Sequence, residues 1–400
     1  MPDNCGLGAS SDDLSALSRL GYPPYLHSAV LGHDSNPGWK TMEEGDGEQS
    51  EELKFAVRLL SEFEKHIDYL VNDWLNRKHH QSYALDPAEF RRQYDRWGGT
   101  PRDKVTAGFT SLILRVCACS LDFIDKDRAT ELNVPDVQGL ANRVHTAAEK
   151  LGDSIPPGKG GLAQVQQLLL TAIWLESSEK RTEAWHALGK AIMAAYELGL
   201  HQPSPPMGVS ESEQETRIRT WVILSLLDCE LSHELSGELS RPPHVNLADP
   251  KIELPPPLEG NPGRLNRPSL FRHLELHYQL RVVVAKAVAQ LGCHSTREEM
   301  EKQTTHVIVN WREQLPKEYA LIRPDTRWDC EYKWVVRQRE YLGMIAGAAL
   351  VRHTSPRDNQ EKISVFEVLK DNLGMFARTR SEVNLPFPAV PNPHPHRPHV

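Results

Sequence analysis

The feature that most constrains the fold of this 400-residue chain is a helical spacing of apolar residues, which recurs from residue 51 onward. In the stretch EAWHALGKAIMAAYELGLHQP, residues 183–203, apolar side chains follow at steps of three and four, at Trp185, Leu188, Ile192, Ala195 and Leu198. This spacing places them on one face of an α-helix. Gly199 then favours a left-handed turn at the helix end, and Pro203 prevents the helix from resuming. The stretch therefore predicts a packing helix over residues 183–198.

The same spacing predicts about ten helices along the chain, and no convincing strand pattern appears. Asp86 followed by Pro87 is typical of a helix start. Residues 104–124 are apolar almost all round, which predicts a buried central helix. Residues 242–268 are dense in proline and predict a long irregular crossover. The predicted fold is all-α: a single large multi-helix domain with an irregular Pro-rich crossover.

Two tails flank the predicted domain. Residues 1–50 are rich in Gly, Ser, Pro and Asp, and the end of the chain reads PFPAVPNPHPHRPHV. Neither composition supports a packed core. The sequence predicts a flexible lead-in at 1–50, a helical regulatory-type domain at 51–380 and a disordered Pro/His-rich tail at 381–400.

Charge and cysteine content exclude several classes of protein. The formal net charge is −8 and no Lys/Arg block is present, which argues against a nucleic-acid-binding surface over the whole molecule. The amino terminus lacks the basic start and apolar run of a secretory signal, and no apolar run reaches the roughly 18 residues of a membrane-spanning helix. The six cysteines lie mostly in apolar segments, which is typical of reduced thiols inside cells. We expect an intracellular protein that has no membrane partner and does not bind duplex DNA sequence-specifically on its own.

Two motifs carry a family resemblance: AWHALGKAIMAAYELGLHQP, and ETRIRTWVILSLLDCELSHELSGELSRPPHVNLADPKIELP over residues 215–255. Together they resemble the regulatory middle-homology domain of fungal-specific transcription factors, a large helical domain downstream of a zinc binuclear cluster. The matching positions of the first motif are Ala184, Trp185, Gly189, Ala191, Leu198, Gly199, Leu200 and His201. Those of the second are Arg217, Arg219, Trp221, Leu227, Asp228, Arg241, Pro242, Asp249, Leu254 and Pro255. The resemblance extends over residues 55–375 and implies a helical regulatory domain.

The sequence departs from that family in two places. The family's DNA-binding module holds two zinc ions with six closely spaced cysteines, whereas only Cys5 lies in the first hundred residues and no two CxxC-type pairs are present. Ser240 stands where the family has a glycine before Arg-Pro. The sequence therefore predicts no zinc site and a regulator that reaches promoters through a DNA-binding partner or other regulatory proteins.

Asp228, His201 and Arg241 are the candidate pocket residues. Asp228 lies in an apolar part of its helix, so we expect it to be at least partly buried, and a buried carboxylate must be paired or protonated. Three arginines are candidate partners: Arg217, Arg219 and Arg241. Two roles stay open for Asp228, a structural ion pair that fixes the crossover or a group that contacts a ligand. His201 follows a helix end, where a capping role competes with a pocket role.

Other candidate chemistry has simpler explanations. Cys117 and Cys119 have the wrong spacing for a CxxC redox pair and are expected to be packing thiols. The histidines of the Pro-rich tail lack groups that would orient them on a metal. HExxH, a glycine-rich phosphate loop and GxSxG do not occur. The sequence therefore predicts no cofactor, no metal and no assigned catalytic residue, while Trp185 and Trp221 are expected to anchor the core.

Two functions are compatible with these observations. The first is a nuclear, transcription-factor-like regulator of a fungal specialised-metabolism pathway that acts through protein contacts or by sensing a small molecule. The second is a cofactor-independent enzyme, a cyclase or pericyclase of Diels-Alderase type, that uses a pocket of the same helical fold and is cytoplasmic. The missing zinc cluster favours the enzyme, and the lack of a catalytic constellation favours the regulator.

Overall fold

The computed structural model describes residues 49–75, 84–122, 124, 129–130, 134, 136–155, 160–202, 209–239, 241–249, 267–292 and 295–353. Within these residues there are eleven α-helices and no strand, which confirms the all-α prediction. The first seven are α1 (Glu51–Glu62), α2 (Glu64–Asp73), α3 (Pro87–Gly99), α4 (Ala107–Leu121), α5 (Val137–Ser154), α6 (Gly161–Ser177) and α7 (Arg181–Glu197). The others are α8 (Glu211–Leu239), α9 (Arg272–Leu291), α10 (Arg297–Glu313) and α11 (Lys333–His353), with a 3-10 helix at Lys317–Tyr319.

The chain divides into two compact units whose boundary lies between Trp221 and Val222, inside α8. Residues 1–48 and 381–400 lie outside the described residues. The lead-in, the tail and the domain limits drawn from the sequence therefore stay predictions.

The first unit is built around α4. Every residue of this helix from Thr110 to Leu121 is buried, which confirms the prediction of a buried central helix. It packs against α1, α2, α5 and α6, and α6 in turn packs along α7. A helix enclosed in this way has no polar face, which explains why the sequence pattern is apolar all round.

Local capping residues set where several helices begin. Asp86 accepts a hydrogen bond from the backbone N–H of Glu89 at 2.8 Å, and Pro87 occupies the first turn of α3, as predicted. At the start of α10, Thr296 and Glu299 form a capping box, each side chain accepting from the other's backbone N–H. These bonds satisfy backbone donors that the first helical turn leaves without partners.

The second unit has its own core between α9, α10 and α11. Buried apolar residues of these helices and of the 3-10 helix form one cluster, which includes Trp311, Tyr319 and Leu342. The Trp311 indole donates to the carbonyl of Leu276 at 3.1 Å, and the Tyr319 hydroxyl lies 3.0 Å from the carbonyl of Ser269. The polar ends of both aromatic side chains are thereby satisfied inside the core.

The tryptophans and cysteines that the sequence places in the core differ in how far they are buried. Trp221 is 7% exposed, and Cys117 and Cys119 are buried, all as expected. Trp185 is only half-buried, so the prediction that it anchors the core is wrong. The apolar stripe of α7 is instead buried through its small and aliphatic residues, among them Ala184, Leu188 and Ala191. Among the described residues, no helix is both long and apolar enough to cross a membrane.

Candidate functional site

Asp228 is the most constrained of the three sequence candidates. It lies on α8 with 0% of its surface exposed. Its Oδ2 accepts a hydrogen bond from the backbone N–H of Val245 at 2.8 Å, and its Oδ1 lies 2.7 Å from Nδ1 of His244. Because an ionised carboxylate only accepts hydrogen bonds, Nδ1 of His244 carries the proton in this pair. Ser232 Oγ, one turn along α8, lies 3.5 Å from Oδ1 and 3.4 Å from the carbonyl of Pro242.

These contacts tie residues 242–245, the start of the Pro-rich crossover, to the side of α8. We call Asp228, Ser232, His244 and the Val245 amide the Asp228 clamp. Val245 and Leu247 are buried, at 2% and 6% exposure, so the clamp holds a segment that contributes to the core. Of the two roles left open for Asp228, the described contacts are those of a structural group.

The arginines offered as partners of Asp228 make other contacts, so the predicted arginine pair is wrong. Arg217 donates through Nη2 to the carbonyl of Leu198, the C-cap of α7. Arg219 lies with Nη2 3.4 Å from the Thr216 hydroxyl and 3.8 Å from an Asp86 carboxylate oxygen. Arg241 is half-buried and is not among the hydrogen-bond partners described for Asp228.

His201 lies in the first unit, beyond the end of α7. Gly199 has φ +66°, and the N–H groups of Gly199 and Leu200 donate to the carbonyls of Tyr196 and Ala195, each at 3.0 Å. This pattern closes the helix with a left-handed glycine, as predicted. The His201 ring is exposed but lies 4.9 Å from the Tyr196 ring and 5.9 Å from the Trp221 ring, centroid to centroid. Partial burial lowers the pKa of His201 from its ordinary value.

Sequence reasoning missed two roles. The α7 carbonyl that His201 was expected to cap is bound by Arg217, and the partner of Asp228 is His244 rather than an arginine. A cation is favoured at a helix C-terminus, so Arg217 fits that position. The signal for His244 was its place directly after Arg241-Pro242-Pro243, but a separation of 16 residues through an irregular segment does not reveal a contact.

His201 belongs to the first unit, whereas Asp228 and Arg241 belong to the second. The described residues contain no group of three or more His, Cys, Asp or Glu side chains able to hold a metal ion. The geometry around Asp228 is therefore that of a polar clamp on a proline-rich segment.

Both sequence motifs lie in a segment that matches a known protein family. Residues 74–259 match the fungal specific transcription factor domain. The match includes both motifs and the Asp228 clamp, and the fungal-specific transcription factor domain so defined is shorter than the span of 55–375 suggested by the resemblance.

Curated relatives match parts of this chain within longer sequences. The probable transcription factor sol4 of Alternaria solani is 28% identical over 298 residues, which is 68% of this chain and 49% of the relative. Transcription factor FBD3 of Gibberella moniliformis is 27% identical over 145 residues, 36% of this chain and 19% of the relative. The Zn(2)-C6 fungal-type transcription factor pigI of Monascus ruber is 24% identical over 209 residues, 50% of this chain and 25% of the relative. The matched part of the chain thus spans half or less of these relatives, and no solved structure matches it.

Proposed function

We propose that the protein is a nuclear transcriptional regulator whose helical domain controls the output of a fungal metabolic pathway. The observation that carries the proposal is the fungal-specific transcription factor domain at residues 74–259, together with relatives that are named as transcription factors. In this proposal the regulator reaches DNA through a partner, since the 400 residues contain no cysteine set for a zinc binuclear cluster. Its partners are a DNA-binding protein or region and other regulatory proteins.

The same match disfavours the co-opted enzyme as the primary function. Asp228 was the side chain with the best claim to a chemical role, and both of its carboxylate oxygens are engaged by groups of the chain itself. A buried carboxylate that already accepts from a backbone amide and an imidazole serves to position the crossover. The chemistry of the domain is then recognition and transmission of a signal.

A reporter assay tests the proposal. The full chain is fused to a heterologous sequence-specific DNA-binding domain in a fungal host, and a promoter with the matching operators is read out under both basal and activated conditions. We expect a change of at least several-fold in reporter transcript, either activation or repression, relative to the DNA-binding domain alone. An unchanged reporter under both conditions, with the fusion shown by immunoblot to be present in the nucleus, would contradict a regulatory function.

A matched control separates regulation from general effects. The fusion that carries Asp228→Ala is expected to lose reporter control in parallel with lost stability of the domain, whereas Asn246→Ala, a change at an exposed residue of the same segment, is expected to keep it. A loss in both variants, at equal protein levels, would show that the readout is not specific to the folded domain.

A further inference from the structure

The interface of α4, α5 and α6 contains an arginine that the apolar sequence pattern hides. Arg115 lies on α4 with 0% of its surface exposed. Its Nη1 donates a hydrogen bond to Nδ1 of His145 on α5. The His145 ring stacks on the ring of Trp174 on α6, with centroids 3.6 Å apart and planes inclined by 19°. These three contiguous side chains are called the Arg115 cluster below.

The Arg115 cluster contains hydrogen-bond donors without described partners. Nε and Nη2 of Arg115 and Nε1 of Trp174 are buried and have no hydrogen-bond partner among the residues that the structure describes. Nε and Nη2 lie on the same edge of the planar guanidinium, and that edge matches the two oxygens of a carboxylate. Buried polar groups of native proteins are nearly always hydrogen-bonded, so these orphan donors call for an acceptor.

The charge of Arg115 points to the same kind of occupant. Burial lowers the pKa of the guanidinium to about 10, an effect that the nearby Cys119, Glu149 and Asp153 oppose, so the group is still cationic at neutral pH. No described carboxylate contacts it: Glu149, whose side chain is half exposed, reaches 4.0 Å from Nε2 of His145 instead. A buried charge without a counter-ion is strongly unfavourable, and a bound anion would relieve that cost.

His145 is neutral, so it neither neutralises the charge of Arg115 nor adds a second positive charge. Because Arg115 only donates, Nδ1 of His145 acts as acceptor and the ring is neutral. Burial, reinforced by the charges of Arg115 and Lys180, lowers the pKa of His145 to about 3. At physiological pH the cluster therefore carries a single positive charge.

We propose that the Arg115 cluster binds the carboxylate group of a small molecule, with the Nε and Nη2 edge of Arg115 as the anchor and Trp174 Nε1 as a further donor. If the protein is the regulator proposed above, this carboxylate compound is the signal that its helical domain senses. The binding itself does not depend on that function.

Neighbouring contacts limit where the rest of such a ligand lies. Toward the C-terminal end of α5, about 10 Å along the helix from His145, a Cβ at Gly152 would meet Nε2 of Gln167 on α6 at 2.9 Å. The two helices are too close there for a guest. The exposed Lys180 holds its Nζ 5.7 Å from the ring centroid of Trp174. This cation attracts anions toward the Trp174 end of the cluster.

The competing occupant is an ordered water, which often satisfies buried polar groups. The experiment uses the purified full chain at pH 7.5 with sodium formate, acetate or benzoate against sodium chloride at equal ionic strength, and benzamide as the uncharged counterpart of benzoate. Melting temperature and titration calorimetry are recorded. We expect at least one carboxylate to raise the melting temperature in a saturable way beyond chloride, and benzamide to have no effect.

Variants assign the binding to the cluster. Arg115→Met, of similar volume but uncharged, is expected to lower carboxylate affinity at least tenfold while its ligand-free melting temperature equals or exceeds that of the native chain. Trp174→Phe keeps an aromatic ring but removes Nε1, and should lower affinity several-fold. Arg143→Met, a change at an exposed arginine of α5, should leave affinity unchanged. Glu149→Gln should retain carboxylate binding, because Glu149 does not contact the Nε and Nη2 edge of Arg115.

The outcomes separate the alternatives. If no carboxylate acts beyond chloride, or if benzamide acts equally, the cluster holds only water and the proposal is wrong. If Arg115→Met does not fold, Trp174→Phe decides, since unchanged affinity in that variant would also contradict the site. These measurements need no DNA and no transcription, so a failed binding test leaves the reporter result intact, and a failed reporter test leaves the binding site intact.

Discussion

Replacement of Asp228 by alanine removes the acceptor of the Asp228 clamp and is expected to destabilise the second unit by about 2–4 kcal/mol. The Val245 N–H lies in a buried residue and would lose its acceptor outright, which costs about 1–3 kcal/mol. The His244 side chain is 17% exposed and can reach water, so its share is smaller, about 1 kcal/mol. Asp228→Asn keeps one oxygen for the Val245 amide and is expected to cost only about 1 kcal/mol.

Urea unfolding followed by far-ultraviolet circular dichroism measures these differences, and thermolysin cleavage reports on the crossover separately. Thermolysin cuts before apolar residues, and Val245 and Leu247 are buried in the native chain. Asp228→Ala should therefore expose new cleavage sites at residues 245–247 at urea concentrations below the global transition. Asn246→Ala, which removes an exposed side-chain bond to the Ala248 N–H, should change stability by less than about 0.5 kcal/mol.

The reasoning would be refuted by an Asp228→Ala chain that unfolds within about 0.5 kcal/mol of the native one and shows the same thermolysin pattern. If that variant also lost reporter control, Asp228 would have to act on a ligand or partner rather than on the crossover. The sequence left both roles open, and this pair of measurements decides between them.

Four further outcomes follow from the structure. Trp221→Ala should lower the free energy of unfolding by about 3–5 kcal/mol and Trp185→Ala by clearly less, because only Trp221 is fully buried; urea melts compare them. Gly199→Ala places a side chain at φ +66° and should cost about 1–2 kcal/mol in the same assay. A thiol reagent at pH 8 should modify Cys330 in the native chain while the two buried thiols of α4 react only after unfolding. Because the pKa of His145 is low in the folded chain, the unfolded chain binds a proton below pH 6.5 that the folded chain does not. The free energy of unfolding should therefore fall by about 1.4 kcal/mol for each pH unit below pH 6.5 through this histidine. A smaller pH dependence of stability in His145→Gln tests this prediction.

The helices could be predicted because each is encoded by its own residues. The spacing of apolar positions predicted a helix over residues 183–198, and α7 is observed at Arg181–Glu197. Gly199 predicted the end of this helix, and it has a positive φ angle there. Asp86 and Pro87 likewise encode the start of α3. Periodicity and capping act within one or two turns, so a single sequence contains the information that they require.

Burial around a helix could be predicted less well, because it depends on which neighbours arrive. Trp185 has the right phase for the apolar stripe of α7, yet the helices that pack on α7 leave it half-buried. Conversely, the run LILRVCACSL around Arg115 indicated only a buried helix, and a lone arginine inside it was the signal of a buried charge. The sequence shows that such a residue is unusual, but not which donors stay without partners.

Partners of polar residues were the least predictable. Three arginines lay within 13 residues of Asp228 along the chain, and charge alone made each of them a reasonable partner. The contacts depend on the path of a proline-rich segment that returns along α8, and that path brings His244 and the Val245 amide to the carboxylate. Non-local pairing of this kind is set by tertiary structure and leaves no periodic trace.

The distinction between polar groups with and without described partners also bears on the proposed ligand site. The oxygens of Asp228 bind a backbone N–H and an imidazole, so a ligand could reach the carboxylate only by displacing bonds that hold the crossover. Arg115 differs, because its Nε and Nη2 edge is buried without a described acceptor and a carboxylate would add bonds without breaking any. A ligand stabilises the state in which it binds by its differential affinity for that state, and occupancy of the Arg115 cluster would favour the arrangement in which α4, α5 and α6 are packed together. Asp228, a residue of the second motif, therefore holds the start of the crossover in place, whereas the group better suited to bind a ligand, Arg115, lies in α4, which the sequence shows only as an apolar helix.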